Sequence, residues 1–409
     1  MGGAPIPPMR ILTVGNMYPP HHQGGYEAIW QGAVRHLRRA GHEVRVLTTD
    51  HREPGAGDEV DAGVHRELRW YWRDHDFPRL GRRERFRLER ANAAVFDRHL
   101  ADFAPDVVGW WAMGGMSLSL IERARRAGLA AHAVVCDAWT VYAPEVDGWT
   151  RMFAGRPGAA RVAEWAGGIP ARVDLAALGP FLFLSRALFD EARERWPGLE
   201  GEVGHRGPDR DLFPAAPPAA EWGWRLLYVG RVDPRKGIDT AIAALAELGP
   251  EATLAVYGRG DPGHREELRA LAARLGVAER VEFAEAPRDR LASVYAGADA
   301  LVFPVAWPEP WGLVPLEAMS VGRPVVATGT GGSGEYLRDG ENCLRFDPAE
   351  GPSALAAALR RLAAEPGLRE RLRAGGLETV ERLERRPFDV EVERLCARAL
   401  SSPGSSRRG

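Results

Sequence analysis

Short unbroken apolar runs alternate along this chain with longer stretches whose apolar residues recur every three or four positions. Arg10-Ile11-Leu12-Thr13-Val14-Gly15 reads as a buried parallel strand. After a loop from Asn16 to Gly25, Ile29, Ala33, Val34, Leu37 and Ala40 fall on one helical stripe that Gly41 ends. Glu43 to Thr48 is a second strand, so the opening predicts a Rossmann-like βαβ unit. Asp106 to Trp110, His132 to Cys136 and Pro180 to Ser185 read as further strands. Helices are predicted over Ser117 to Gly128 and from Ser185 to Trp196. Between Asp50 and Arg90 the alternation breaks, around Trp70-Tyr71-Trp72-Arg73 and an Arg-rich run from Arg79 to Arg90. A solvated helix face with a packed aromatic edge is favoured there over an acceptor-binding surface.

The pattern restarts after the Pro/Ala-rich stretch Phe213 to Gly223. Strands are predicted at Arg225 to Gly230, Ala252 to Gly258, Val281 to Phe283, Leu301 to Pro304 and Pro324 to Thr328. Helices are predicted at Asp239 to Leu248, Arg265 to Leu275 and Leu291 to Ala296, with more from Pro352 to Arg385. The fold class is therefore α/β, with two doubly wound parallel-sheet halves. The expected bounds are 9–215 and 222–385, then a helix over 386–400 crossing back to the first half, and a disordered tail at 401–409. Ligands of such sheets bind outside the carboxyl ends of the strands, which predicts a ligand in a cleft between the halves.

Composition narrows the class. The 409 residues exceed one hydrophobic core. A net charge of −2 leaves no global basic field to argue for nucleic acid or an anionic membrane, and 45% hydrophobic with 27% charged residues is ordinary for a soluble protein. The preference for Arg, Ala, Gly and Pro reads as a high-GC, bacterial coding sequence. Three distant cysteines, Cys136, Cys343 and Cys396, suit a reducing, cytoplasmic compartment rather than a disulfide scaffold. No apolar run reaches membrane-spanning length, and Met1 to Pro8 lacks a signal-peptide layout, reading as a loose leader before Met9.

Four clusters sit at carboxyl ends of predicted strands. Gly24-Gly25 lets backbone N–H groups approach a phosphate without a side chain in the way. Gly230-Arg231-Val232-Asp233-Pro234-Arg235-Lys236-Gly237 places Arg231 and Lys236 where both could reach one diphosphate, or where both form a solvated basic turn. In Trp307-Pro308-Glu309-Pro310-Trp311-Gly312-Leu313-Val314-Pro315-Leu316-Glu317 a loop enters a helix, whose unpaired N–H groups and dipole favour an anion. Glu309 and Glu317 would repel an anion and suit hydroxyls on either side of it, a layout that fits a nucleotide sugar. Thr330-Gly331-Gly332-Ser333-Gly334-Glu335 is a glycine-rich turn. No metal-ligand spacing is convincing at His21-His22 or Asp209/Asp211.

Together these clusters resemble the GT-B-fold retaining glycosyltransferases of family four, across about Met9 to Leu400 and most strongly in the second half. Gly207-Pro208-Asp209-Arg210-Asp211-Leu212-Phe213 is similar to the family's segment entering the interdomain linker. The resemblance implies a nucleoside-diphosphate-sugar donor, UDP-sugar by default, with no cofactor or metal. Arg231 and Lys236 would hold the diphosphate and Glu309 the sugar hydroxyls. The backbone of Trp311, Gly312 and Leu313 would hold the distal phosphate or sugar, and Glu317 the ribose. Gly24-Gly25 would close on the phosphate, and the nucleobase would lie near Phe283 to Pro287. The acceptor would be the hydroxyl of a glycan, lipid or small aglycone, with Trp70, Tyr71, Trp72 and the Trp139 to Trp149 region as stacking surfaces and a peripheral membrane contact open. Same-face attack assisted by the leaving diphosphate is the implied mechanism.

Two departures stand out. Cys136-Asp137 occupies the place of the family's His-Asp pair, and a thiol cannot replace imidazole as base or cation. Asp137 remains as an acceptor or sugar contact, and Cys136 reads as a small buried hydrophobe rather than a nucleophile. Cys343 follows Asn342 where the family often has glycine, which predicts a local turn adjustment. The alternatives are a nucleotide-sugar epimerase, a phosphorylase-like enzyme, and an inactive sugar-nucleotide-binding protein. A dinucleotide-dependent oxidoreductase is disfavoured because no G-x-G-x-x-G opens the first helix.

Overall fold

Thirteen parallel strands form two sheets among the residues that the computed structural model describes, 6–21, 24–53, 55–57, 61–72, 77–218 and 221–401. The start of the leader, His22, Arg73 and the tail from 402 lie outside the described residues. The chain divides into two compact units, 1–205 with 388–409, and 206–387. The division falls at His205/Arg206, ahead of the Pro/Ala-rich stretch, which the second unit includes.

In the first unit β1 (Arg10–Val14), α1 (Gly25–Arg39) and β2 (Glu43–Thr49) are followed by β3 (Val64–Leu68), α2 (Arg82–Phe103) and β4 (Val107–Trp110). Then come α3 (Ser119–Arg126), β5 (Ala130–Val135), α4 (Trp139–Val146), α5 (Pro157–Gly167), β6 (Phe181–Phe183), α6 (Arg186–Arg195) and β7 (Gly201–Val203). The sheet order is β3-β2-β1-β4-β5-β6-β7. All four residues of β4 and all six of β5 are buried, as expected of parallel strands covered on both faces.

The second unit holds β8 (Arg225–Val229), α7 (Ile238–Ala246), β9 (Thr253–Tyr257), α8 (Pro262–Arg274), β10 (Val281–Ala284), α9 (Leu291–Gly297) and β11 (Ala300–Phe303). After these come α10 (Leu313–Val321), β12 (Val325–Ala327), β13 (Leu344–Arg345), α11 (Gly351–Ala364) and α12 (Pro366–Glu384). Its sheet order is β10-β9-β8-β11-β12-β13. The last helix, α13 (Phe388–Ser401), packs against α1 and β5 of the first unit. The expected pair of doubly wound halves is thus present. Among the described residues no helix is long and apolar enough to cross a membrane.

The segment that broke the alternation contains β3, an edge strand too charged and half-buried to show as an apolar run. The Arg-rich run opens α2, with Arg82, Arg83, Arg87 and Arg90 exposed. Trp70 and Tyr71 are buried, and Trp70 Nε1 donates to the Gly114 carbonyl at 3.0 Å. The packed aromatic edge is therefore what forms. Trp139 and Trp149 correct the stacking expectation for their region. Both are buried, and Trp149 Nε1 donates to the Pro170 carbonyl at 2.9 Å.

Candidate active site

Strand order in the second sheet reverses between β8 and β11, the point at which such sheets open a crevice at their carboxyl ends. The loops after β8, β11 and β12 meet there. Two glycines allow the contact. At Gly237 (φ 71°) a Cβ would lie 2.1 Å from the Pro304 carbonyl oxygen. At Gly331 (φ 60°) a Cβ would lie 2.5 Å from the Glu309 carbonyl oxygen. Both positions also need the left-handed backbone that glycine adopts freely. Hydrogen bonds complete the joint. Gly332 N–H donates to the Glu309 carbonyl at 2.7 Å, and Thr330 Oγ1 donates to the carbonyls of Val305 and Trp307.

This frame fixes Glu309. Its carboxylate meets Lys236 Nζ at 2.6 Å and accepts from Trp307 Nε1 at 3.1 Å. The Glu309 side chain is only 12% exposed, so it is a held group. The Trp307 ring lies under the Arg235 guanidinium at 4.8 Å and the Lys236 ammonium at 5.3 Å. Arg235 grips Asp233 at 2.7 Å and holds that carboxyl far below the usual range. Arg231 reaches Asp233 only at 3.5 Å and keeps its guanidinium half exposed. Three cations and two carboxylates leave this corner with a surplus positive charge beside the start of α10. That helix is capped by Gly312 (φ 80°) and has no acidic residue in its first turn.

Glu317 lies one element deeper. It is buried, accepts from Tyr295 OH at 2.8 Å and pairs with Arg288 at 3.0 Å. Burial raises its pKa while Arg288 opposes the shift. Sequence reasoning missed Arg288 and Tyr295, which come from the turn before α9 and from α9 itself and carry no spacing signal toward Glu317. Trp311 is a core side chain, its Nε1 donating to the Arg206 carbonyl at 2.9 Å. Leu313, the first residue of α10, is half-buried. Near the expected nucleobase position, Glu285 pairs with Arg259 at 2.9 Å and Arg265 at 3.3 Å. Asn342 ties its turn to α12 through Thr379 Oγ1 at 2.8 Å, and the neighbouring Cys343 is fully buried.

In the first unit Gly24 caps α1, and its N–H donates to Glu27 Oε2 at 3.1 Å. Gly25 is the first helical residue. Cys136 is buried just after β5. Asp137 accepts from Tyr142 OH at 2.9 Å and from Trp139 N–H at 3.2 Å. Burial, and to a smaller degree the charge of Glu27, push the Asp137 carboxyl up to about 6. Tyr142 and Glu27 were not singled out from sequence, although Glu27 stands three residues after the cap, where a capping-box acid belongs.

Among the described residues one trio has metal-ligand types, His65, Glu67 and His99, in the first unit. Two guanidiniums crowd it, Arg98 on Glu67 and Arg45 at 3.2 Å from His99 Nδ1. Both oppose a cation there. Asp209, where no convincing metal-ligand spacing is expected, accepts from the N–H groups of Asp211 and Leu212.

Comparison with known proteins bears on the family and the fold. The family described as glycosyl transferases group 1 matches residues 209–379. A glycogen synthase of Mycobacterium tuberculosis is 30% identical over 399 residues, 89% of this chain and 88% of that protein. A D-inositol 3-phosphate glycosyltransferase of Acidothermus cellulolyticus is 42% identical over 166 residues, 38% of this chain and 36% of that relative, so this match spans about a third of its length. Among solved structures, sucrose-phosphate synthase from Thermosynechococcus elongatus aligns with a TM-score of 0.72 at 22% identity, covering 96% of this chain and 99% of that one. Anabaena Alr3699/HepE, solved in complex with UDP and glucose, aligns with a TM-score of 0.68 at 20% identity, covering 96% and 100%. At these identities the structural likenesses show the fold.

Proposed function

The chain belongs to the group 1 glycosyl transferases, and on that premise we propose that it moves a sugar from a nucleoside-diphosphate sugar to an acceptor hydroxyl with retention at the anomeric carbon. The carrying observation is the corner formed by Arg231, Lys236, Trp307 and Glu309 at the start of α10. Breaking the sugar–phosphate bond puts negative charge on the diphosphate. Arg231, with its exposed fork, and Lys236 meet that charge, and the backbone entering α10 adds the helix dipole. Glu309, released from Lys236 by the incoming phosphate, accepts hydroxyls of the transferred sugar. Glu317 keeps two donors but retains acceptor capacity toward a ribose hydroxyl, since a carboxylate has about four lone-pair sites. In the first unit Asp137 and the Gly24-Gly25 backbone are the candidate substrate contacts. Cationic side chains take the role that a metal ion serves elsewhere, so turnover is proposed to be metal-independent. The leaving diphosphate accepts the proton of the acceptor hydroxyl, and attack occurs on the face it leaves.

The test is release of nucleoside diphosphate by purified protein from a panel of nucleotide sugars, UDP-sugars first, with sugar and lipid acceptors. The expected result is acceptor-dependent release that EDTA does not reduce, with product of unchanged anomeric configuration by NMR. Donor turnover without acceptor would favour an epimerase. Loss of turnover in EDTA would overturn metal independence.

A further inference from the structure

We propose that the outward face of α5 docks this protein on a membrane surface containing anionic lipid. The claim rests on α5 and its neighbours, and stands apart from the glycosyl-transfer reading. An exposed helix normally turns charged residues to solvent and apolar ones to the core. In α5 the inward side carries buried Ala160 and half-buried Ala163 and Glu164. The solvent side carries Gly158, Ala159, Val162, Trp165 and Ala166. Trp165 is 87% and Val162 65% exposed, the most exposed large apolar residues among those described. Tryptophan with its ring in open solvent suits the boundary of a bilayer, where an apolar body and a polar N–H are both accommodated.

The charges around this face are mainly positive. Glu164, the acid of the helix, is turned away from solvent, bonded to Ala171 N–H at 2.9 Å and paired with Arg126 at 3.1 Å. Arg151, Arg156 and Arg161 are exposed and make no ion pair among the described residues. A largely apolar cavity of about 470 Å³ adjoins the start of the helix. Its lining includes Arg151, Arg156, Arg172 and Arg195 against a single carboxylate, Glu145. At its other end α5 packs on α2, where the Phe86 ring closes on Gly167 and Trp149. Exposed apolar side chains with guanidiniums near them in the chain and along the adjoining cavity complement acyl chains below phosphate head groups. A second copy meeting this face with its own would set guanidinium against guanidinium.

The full chain should float with vesicles of equimolar phosphatidylcholine and phosphatidylglycerol and stay behind with phosphatidylcholine alone. Salt at about 1 M should release it. Trp165→Ala should weaken vesicle binding about tenfold. The double variant Arg156→Glu with Arg161→Glu should abolish it, with the melting temperature of either protein unchanged because all three side chains are exposed. Absence of flotation by the folded wild type, or equal flotation by the variants, would overturn the proposal. So would light scattering that shows a dimer which Trp165→Ala converts to monomer, since the face would then bind a second copy.

Discussion

Glu309 is held by one cation and one indole N–H, and the amide of Glu309→Gln would keep the Trp307 bond while losing the charge that Lys236 balances. Turnover should fall on the order of 10²-fold with the fold intact. Near wild-type turnover would refute the sugar-binding role. Burial raises the Asp137 carboxyl to about 6. If its carboxylate contacts substrate, kcat/KM should climb as pH rises through about 6, and Asp137→Asn should flatten that limb. The stability sign runs the other way. A carboxyl raised above its unfolded value, about 4, stabilises fully below that value, and the contribution is lost as pH rises through about 6. Asp137→Asn should therefore melt higher than wild type above pH 6. An unchanged pH–rate profile would leave Asp137 a structural acceptor for Tyr142 and Trp139.

The elements around the site act as a frame. Gly331→Ala places a Cβ against the backbone of the Glu309 loop and forces φ 60° on a residue that disfavours it. Stability should fall by about 1–3 kcal/mol, with a parallel loss of kcat/KM because Glu309 moves. A variant with wild-type melting and kinetics would show that this joint is not what positions Glu309. The strand-loop-helix order around Arg231, Lys236 and Glu309 was legible in sequence, because apolar runs and glycines mark strand ends directly. What was not legible came from packing between elements. Nothing in the spacing of Glu317 reveals Arg288 and Tyr295, and nothing in Trp139 or Trp149 distinguishes a buried ring from a stacking platform. The charged edge strand β3 also escaped, since its Val64-His65-Arg66-Glu67-Leu68 run has no clear apolar period.

At the scale of the whole molecule, α13 returns the chain to the first unit and buries Phe388, Val392 and Leu395 there. Cys396 Sγ lies 3.2 Å from His132 Nε2. Burial pushes the thiol up to about 12 and the imidazole down to about 3, so this is a neutral pair. At about 1.5–3 kcal/mol per large apolar side chain, the loss of α13 is comparable to the whole stability of a domain. Truncation after Pro387 should therefore abolish or sharply lower the calorimetric transition of the first unit and leave that of the second near its wild-type temperature. A single transition shifted as one would contradict this division of stability.

The central claim is that the corner of Arg231, Lys236 and Glu309 binds the diphosphate of a nucleotide sugar. Calorimetric titration of nucleoside diphosphates, UDP first, into wild type and Arg231→Ala tests it most directly. The account predicts binding by wild type and a loss of about 2–3 kcal/mol in the variant. Equal affinity in the two proteins would contradict it.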